Sequence, residues 1–530
     1  MIVLMGFMGA GKTTIGYLLA EKLGIPFVDI DILIEQRFKR AVKDIFAEEG
    51  EAYFRDLEHK TIVETVSGPE AVVALGGGAV EHPGTRIALT AVTAIHLEVS
   101  YEEALLRIGN DAYRPMMAQP DVRNIYEKRL PVYRRSATLP IRTDRRRPED
   151  IVLEIISKVT TPASVPEGTR SILVAPMGGA HQVHIGKGLA SQIGSLLPPV
   201  AAAKNAFFVA RTTDLAAARR MASELAERGE LQCHVLEIPD GEVAKSFQVA
   251  EAVTEALAAR SAHGEDFLVG VGGEAACYLS GFVAATYNRG MRLVLIPTTL
   301  HGQADAAIGG KNGINLTRGQ NLVGTLHQPV VVISDVMLGL ANREDGFLSG
   351  LAEMAKHAFI ADDTLAEILE SQARALLGGD ADQLVAALAR STQVKAAIVT
   401  SDEREQGERL KLNYGHTFGH AFEQVLPAGP DSHGRAVSLG MMAAAHLAHH
   451  LGRIPRSTVR RHGAMLNNLE LPTTHDFSIE ELQGAWKSNK KYRDSLRFIL
   501  LNDDGGIQGG VEATEEDLRG ALDALARGWR

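Results

Sequence analysis

The chain opens on a short apolar run, Met1 to Met5, and passes directly into Gly6-Phe7-Met8-Gly9-Ala10-Gly11-Lys12-Thr13, a complete G-x-x-x-x-G-K-T loop. A buried strand, a glycine-rich turn and a helix in that order form a nucleotide phosphate cradle, because the glycines let backbone N–H groups approach phosphate oxygens. The loop Gly9, Ala10, Gly11, Lys12, Thr13 and Thr14 is therefore predicted to hold ATP or GTP. Lys12 would meet the terminal phosphates and Thr13 the Mg²⁺. The alternative is a chance glycine-rich turn, which the flanking strand and helix patterns disfavour.

About 150 residues suffice for one such domain, and the chain has 530. With 45% apolar and 23% charged residues it can bury two or more large cores. A net charge of −10 argues against general nucleic-acid binding, which needs a basic excess against phosphates. Only Cys233 and Cys277 occur, too few for a disulfide framework or a thiolate metal cluster, and a reducing cytoplasm is expected. No stretch of ~20 apolar residues is present to span a membrane, and the apolar start lacks the basic flank of a signal peptide.

The segment 159–169, with Pro162 and Pro166 among small polar residues, reads as a linker, with its centre at 161–169. Residues 1–160 alternate strand-like runs (2–5, 71–75, 93–97) with helical ones, an α/β pattern with a parallel sheet. Alternation resumes over 170–334, with strands expected at 171–175, 206–210, 234–238, 267–271 and 293–296. From 335 to 530 the pattern is mainly helical, with helices expected at 353–361, 365–377, 381–399 and 436–451, and a last strand at 496–501 whose partner is open. The expected architecture is a P-loop α/β domain, then a Rossmann-like α/β subdomain, then a helical one.

Asp29 and Asp31 fall on one face if 26–31 is a strand, since alternate residues point the same way. Two carboxylates beside a phosphate loop suit metal and hydroxyl chemistry: Asp29 in the Mg²⁺ shell, Asp31 accepting the proton of an attacking alcohol. On these residues alone, a pair of helix-capping aspartates stands equal. Arg55 and the glycine triplet 76–78 add a guanidinium fork and open backbone able to clamp an anion.

These residues, with Tyr113-Arg114-Pro115 and Pro131-Val132-Tyr133-Arg134, resemble shikimate kinase over 1–158. The resemblance implies ATP and Mg²⁺, and gives Asp31, Arg55, Gly77, Gly78 and Arg134 to shikimate. It also places Arg114 on a closing lid over the transferring phosphoryl group, and Arg107 with the loop Arg145 to Pro148 beside the adenine.

In the second half, His416 and His420 lie at i and i+4 on a helix face, with His433 further on and Glu353 upstream. Two imidazoles and a carboxylate with an open position make a catalytic metal set suited to Zn²⁺, although spacing does not select the third ligand. A lone pair of this kind is more often a core or capping pair. The surrounding residues Asp305, Lys311, Asn321, Lys395 and Arg409 resemble 3-dehydroquinate synthase across 170–530. That resemblance implies Zn²⁺ or Co²⁺ on Glu353, His416 and His433. It places His420, Asn413, Asp305, Lys311, Lys356, Lys395, Arg409 and Lys490 or Lys491 around a seven-carbon phosphorylated keto-acid. It gives NAD⁺ to Glu242, Lys245, Gly272, Gly273, Thr298, Thr299 and Asn321. A homodimer through this part, small-molecule substrates, and no nucleic-acid or membrane partner are the accompanying expectations.

Three residues depart from the synthase pattern. Glu274 replaces a third glycine, Tyr278 an aspartate, and Gln320 a lysine. A carboxylate gained and a cation lost beside a pyrophosphate predict weak NAD⁺ binding, since one charge at ~4 Å in an effective dielectric near 20 is worth up to ~4 kcal/mol. The expectation is a fusion of two shikimate-pathway activities that are not consecutive. Its rivals are another sugar-phosphate cyclase in the second half, or a scaffold that has lost catalysis.

Overall fold

The computed structural model describes residues 1–23, 25–69, 71–90, 92–108, 122–159, 165–174, 176, 181–198, 203–229, 231–429, 431–488, 496–503 and 505–529. Arg114, Lys490, Lys491 and linker positions 161–164 lie outside the described residues. The chain forms two compact units, Met1–Thr160 and Thr161–Arg530. Among the described residues no helix is long and apolar enough to cross a membrane.

In the N-terminal unit, β1 (Ile2–Met5), β2 (Phe27–Asp29), β3 (Val72–Ala74), β4 (Thr93–Glu98) and β5 (Leu139–Arg142) make a sheet in the order β2-β3-β1-β4-β5. All pairings are parallel. The central strand β1 is buried on both faces, which is why its sequence is an unbroken apolar run. Its C-terminal end feeds the phosphate loop, where Gly6, Gly9 and Gly11 take φ of 152°, 77° and 88°. A side chain at Gly9 would lie 2.7 Å from the Ala104 carbonyl, so the loop is closed to anything larger.

The C-terminal unit adds β6 (Arg170–Val174), β7 (His181–Gly186), β8 (Asn205–Arg211), β9 (Gln232–Ile238), β10 (Phe267–Gly272), β11 (Arg292–Pro297), β12 (Lys311–Leu316), β13 (Gly319–Leu326), β14 (Val331–Asp335), β15 (Arg497–Leu501) and β16 (Ile507–Glu512). Seven of them form a sheet ordered β6-β7-β14-β11-β10-β8-β9, antiparallel only at β6. The helix Leu215–Glu227 packs Ala218, Met221 and Leu225 on one face of the sheet, against Phe208 and Val269. The helix Glu274–Thr286 packs Leu279 and Val283 on the other, with Phe207 and Leu268. Strand order reverses between β8 and β10, and a crevice at the carboxyl ends of such strands is where an open α/β sheet receives its ligand. Arg211 ends β8 and Gly272 ends β10 at that crevice.

Helices predominate from Phe347 onward, and their Leu351, Phe418 and Met441 continue the same buried core that Phe207, Leu268 and Leu279 begin on the sheet. The span expected as one helix over 365–377 is two, Asp363–Ser371 and Ala373–Gly378, because Gln372 leaves helical geometry at φ −107° while the apolar spacing runs on across the break. The helical part begins one residue later than expected, as Asp335 still closes β14 before capping Val336–Ala341. Two antiparallel ribbons complete the unit. One pairs β15 with β16, answering what the last apolar run pairs with. The other pairs β12 with β13, and its Asn315 N–H donates to the Lys245 carbonyl at 2.7 Å.

Candidate active sites

In the N-terminal unit the chain leaves the sheet at Asp29, earlier than the strand reading of 26–31 assumed. Asp31 therefore lies in the first turn of the helix Ile30–Phe38, not on a strand face. The cause is Asp29 itself, whose Oδ1 accepts the backbone N–H groups of Asp31 and Ile32 as an N-cap. Its Oδ2 accepts the Thr13 hydroxyl at 2.9 Å. One carboxylate oxygen thus caps the helix and the other meets Thr13. Lys12 Nζ donates to the carbonyls of Gly6 at 2.9 Å and Phe7 at 3.1 Å, poised within the loop, while Thr14 is exposed on the helix that follows.

Asp31 faces the glycine triplet: a Cβ on Gly76 would lie 2.8 Å from Asp31 Oδ1 and 2.3 Å from Glu58 Oε1. Burial and the neighbouring Asp29 push the Asp31 carboxyl above its ordinary range, against Lys12 and Arg55. Arg55 lies across Gly78, where a Cβ would meet its Nη2 at 2.1 Å, and is held by Glu58 at 2.6 Å and Glu51 at 3.2 Å. Glu58 has no local motif to announce it, yet it anchors the guanidinium, and burial drives its own carboxyl up to about 7. Gly77 accepts a hydrogen bond from the Tyr133 hydroxyl, which fixes the triplet's backbone. Arg134 is exposed and paired with Glu98 at 3.1 Å. Arg107 donates to Thr143 and to the Gly9 carbonyl, beside the loop. Pro148 begins the helix Pro148–Val159, and Arg146 and Arg147 of the same loop pair with Glu154 and Asp150.

In the C-terminal unit, Glu353 is fully buried on the helix Phe347–Ala361, and His416 and His433 reach the same oxygen of it. His416 Nε2 lies 3.5 Å and His433 Nε2 3.3 Å from Glu353 Oε1. Their opposite nitrogens are oriented: His416 Nδ1 by the Tyr414 carbonyl at 3.2 Å, His433 Nδ1 by Glu423 Oε1 at 3.6 Å. Gly415, at φ 78°, lets the chain turn into the helix His416–Val425 so that His416 points inward. Two Nε2 atoms and a carboxylate with oxygen partners behind them fit a divalent cation. His420 packs edge-on against His416, 5.3 Å between ring centres, and is not part of that set.

Cations crowd the same centre. Lys356 pairs with Glu353, and Lys395 donates to Asp305 Oδ1 at 2.5 Å. Burial lowers Lys395 to about 8 although Asp305 pulls it up; burial also raises Asp305, yet Lys395 and Lys356 together hold it below the carboxylate range. Arg409 donates to the Gly309 carbonyl at 3.0 Å. Lys311 and Asn413 meet on Glu405, at 2.5 and 2.6 Å. Glu405 and Glu423 were not singled out from the sequence, since each acquires meaning only through a distant partner.

The cradle expected for a dinucleotide lies at the β8–β10 crevice. Gly273 caps the helix Glu274–Thr286, and a Cβ there would meet Thr299 at 3.3 Å, leaving an open helix N-terminus for a phosphate. Lys245 is buried, bonded to Glu242 at 3.0 Å, and Asn315 bonds Glu242 in turn at 2.7 Å. Asn321, at φ 54°, donates its N–H to Asn315. Gly272 and Gly273 stand at the start of that helix, whereas Thr298 and Thr299 face inward: Thr298 donates to Asp214 at 2.7 Å and Thr299 accepts from the Gly302 N–H. The carboxylate gained at 274 is not left uncompensated as the sequence suggested. It lies 3.9 Å from Lys245 Nζ and 3.5 Å from His301 Nδ1. Tyr278 is half-buried with its ring centre 5.1 Å from Lys245 Nζ, and Gln320 is exposed on β13.

Residues 8–160 match the shikimate kinase family, 235–345 the N-terminal part of 3-dehydroquinate synthase and 350–492 its C-terminal part. The 3-dehydroquinate synthase of Corynebacterium diphtheriae is 38% identical over 348 residues, 65% of this chain and 96% of that protein. That of Thermobifida fusca is 42% identical over 271 residues, 51% of this chain and 73% of that protein. Among solved structures, the 2-epi-5-epi-valiolone synthase ValA of Streptomyces hygroscopicus, with NAD⁺ and Zn²⁺ bound, is 26% identical with a TM-score of 0.57, covering 66% of this chain and 97% of that one. The chain belongs to the 3-dehydroquinate synthase family and carries a shikimate kinase domain ahead of it, which together make it a bifunctional shikimate-pathway enzyme.

Proposed function

We propose that the N-terminal unit phosphorylates the 3-hydroxyl of shikimate with ATP and Mg²⁺. We further propose that the C-terminal unit converts 3-deoxy-D-arabino-heptulosonate 7-phosphate to 3-dehydroquinate and phosphate with NAD⁺ and Zn²⁺ or Co²⁺. In the kinase, Asp31, raised by burial, takes the hydroxyl proton as that oxygen bonds to phosphorus and the bond to ADP breaks. Arg55, fixed across Gly78, holds the shikimate carboxylate. Lys12 exchanges loop carbonyls for phosphate oxygens, and Thr13 stays oriented by Asp29.

In the synthase, Glu353, His416 and His433 would hold a divalent metal that would polarise substrate oxygens, and NAD⁺ would supply hydride acceptance and return. Lys356, Lys395 and Arg409 supply buried positive charge for the substrate's phosphate and carboxylate, and Asp305 keeps Lys395 aimed. The observation that carries this reading is the convergence of His416 and His433 on one oxygen of buried Glu353 amid those cations.

Phosphate release from the heptulosonate phosphate with NAD⁺ and Zn²⁺, lost in His416→Ala, tests the synthase; no release by the parent protein rejects it. Asp31→Asn tests the kinase: phosphoryl transfer falls at least ~100-fold, the low end for a positioned acid or base, with ATP binding kept. Equal loss of ATP binding would make Asp31 a folding residue.

Glu274 and Tyr278 in the cradle, together with the likeness to ValA, favour a second reading in which the cyclase takes another seven-carbon sugar phosphate. Identifying the cyclic product from each sugar phosphate separates the two, and turnover of none leaves a scaffold. Pairing of two copies through the C-terminal unit belongs to the proposal and is read by sedimentation.

A further inference from the structure

A third imidazole converges on Glu353. His301 follows Thr299 at the start of the single wide turn Gly302–Ala306, and its side chain is 11% exposed. Its ring stacks on His433 with centres 4.8 Å apart and planes within 23°. One ligand atom from each of His301, Glu353 and His433 falls within 4.8 Å of the other two, a separation a single cation can bridge.

The surroundings repeat the pattern at the other two histidines. His416 turns Nδ1 to the Tyr414 carbonyl and His433 turns Nδ1 to Glu423; His301 turns Nδ1 to Glu274 Oε2, at 3.5 Å. An imidazole that donates one N–H to an oxygen has its tautomer and ring orientation fixed and its other nitrogen made more basic, which is how metal-bound histidines are usually held. Among the described residues one other grouping of this kind occurs, Asp305, Glu353 and His357, in which Lys395 holds Asp305 and the Ser391 hydroxyl meets His357 Nδ1.

We propose that His301 is a further protein ligand of the divalent metal, oriented by Glu274, so that the centre comprises Glu353, His416, His433 and His301. The proposal rests on the metal-dependent reading above. It also gives Glu274 a role: the carboxylate beside the cradle glycines steadies a metal ligand through His301. Four side chains here would leave a bound cation fewer positions for substrate oxygens than Glu353, His416 and His433 alone.

The full chain, stripped of metal and titrated with Co²⁺, reports both affinity, by chelator competition, and ligand set, by visible absorption. His301→Gln is expected to weaken Co²⁺ binding at least ~10-fold and to change the absorption band. Glu274→Gln is expected to weaken it about 10-fold, the scale of a lost orienting partner, with the band retained. Cobalt affinity and spectrum unchanged in both variants, with binding lost in His416→Ala, would overturn the proposal and leave the metal centre standing. No cobalt binding by the parent protein would overturn both. Thermal unfolding of the metal-free variants checks folding. If His301→Gln does not fold, X-ray absorption of the parent's Co²⁺ decides, three imidazoles supporting the proposal and two overturning it.

Discussion

Lys395, on the helix Ala381–Ser401, donates to Asp305 Oδ1 at 2.5 Å from a side chain only 5% exposed, so the amine and its counter-charge share one buried setting. Burial holds the amine at about 8, below its ordinary 10.5, against the pull of Asp305. The ammonium is therefore complete below about pH 8 and lost above it. The synthase kcat/KM should fall as pH rises through about 8, and Lys395→Met should be weak at every pH without that limb. A limb surviving in the variant would assign it to another group.

Gly78 has φ −102°, which any residue can adopt, yet its Cβ would strike the Arg55 guanidinium at 2.1 Å. Gly78→Ala should therefore fold and displace Arg55. Steady-state kinetics should show KM for shikimate raised about tenfold, the scale of one charge-assisted hydrogen bond, with KM for ATP unchanged. Equal rises in both constants would mean the triplet serves the nucleotide.

Burial raises Glu58 from 4.5 to about 7, against Arg55. A carboxyl whose folded value is raised contributes stability that is full below about pH 4.5 and is lost as pH climbs through about 7. The unfolding midpoint of the N-terminal unit should drop over that interval, and Glu58→Gln should flatten the drop. A parent protein equally stable at pH 5 and pH 8 would contradict this.

Glu423 stands behind His433 at 3.6 Å. Glu423→Gln should weaken metal binding about 10–100-fold, measured by chelator competition, with the secondary structure retained. Unchanged affinity would remove Glu423 from the centre's support.

What could be read from the sequence was local. The phosphate loop carries its whole geometry in eight consecutive residues, and His416 to His420 announces a helix face. Asp29 shows the limit of such reading: one of its oxygens caps a helix while the other accepts the Thr13 hydroxyl, a division of labour that no local pattern announces. The ribbon of β12 and β13 escaped notice because glycines at 313, 319 and 324 and mostly exposed positions on β13 leave no alternating pattern. Glu58, His301 and Glu423 are unremarkable in their own neighbourhoods, and only long-range packing sets them beside Asp31, Glu353 and His433. Thr298 and Thr299 show the converse, since residues in a recognisable motif have their hydroxyls bonded within the fold.

That ribbon has a mechanical consequence. At one end Asn315 is bonded to Lys245 and Glu242 in the cradle, and four residues away Lys311 is clasped by Glu405 beside the substrate cations. At ~3.3 Å per residue the two anchors stand about 13 Å apart along β12, whose register against β13 is regular from Lys311 to Ile314 and shifts beside Asn315. One short strand therefore joins the cradle turn to the Lys311–Glu405 pair, and its irregular point beside Asn315 is where the two can part company.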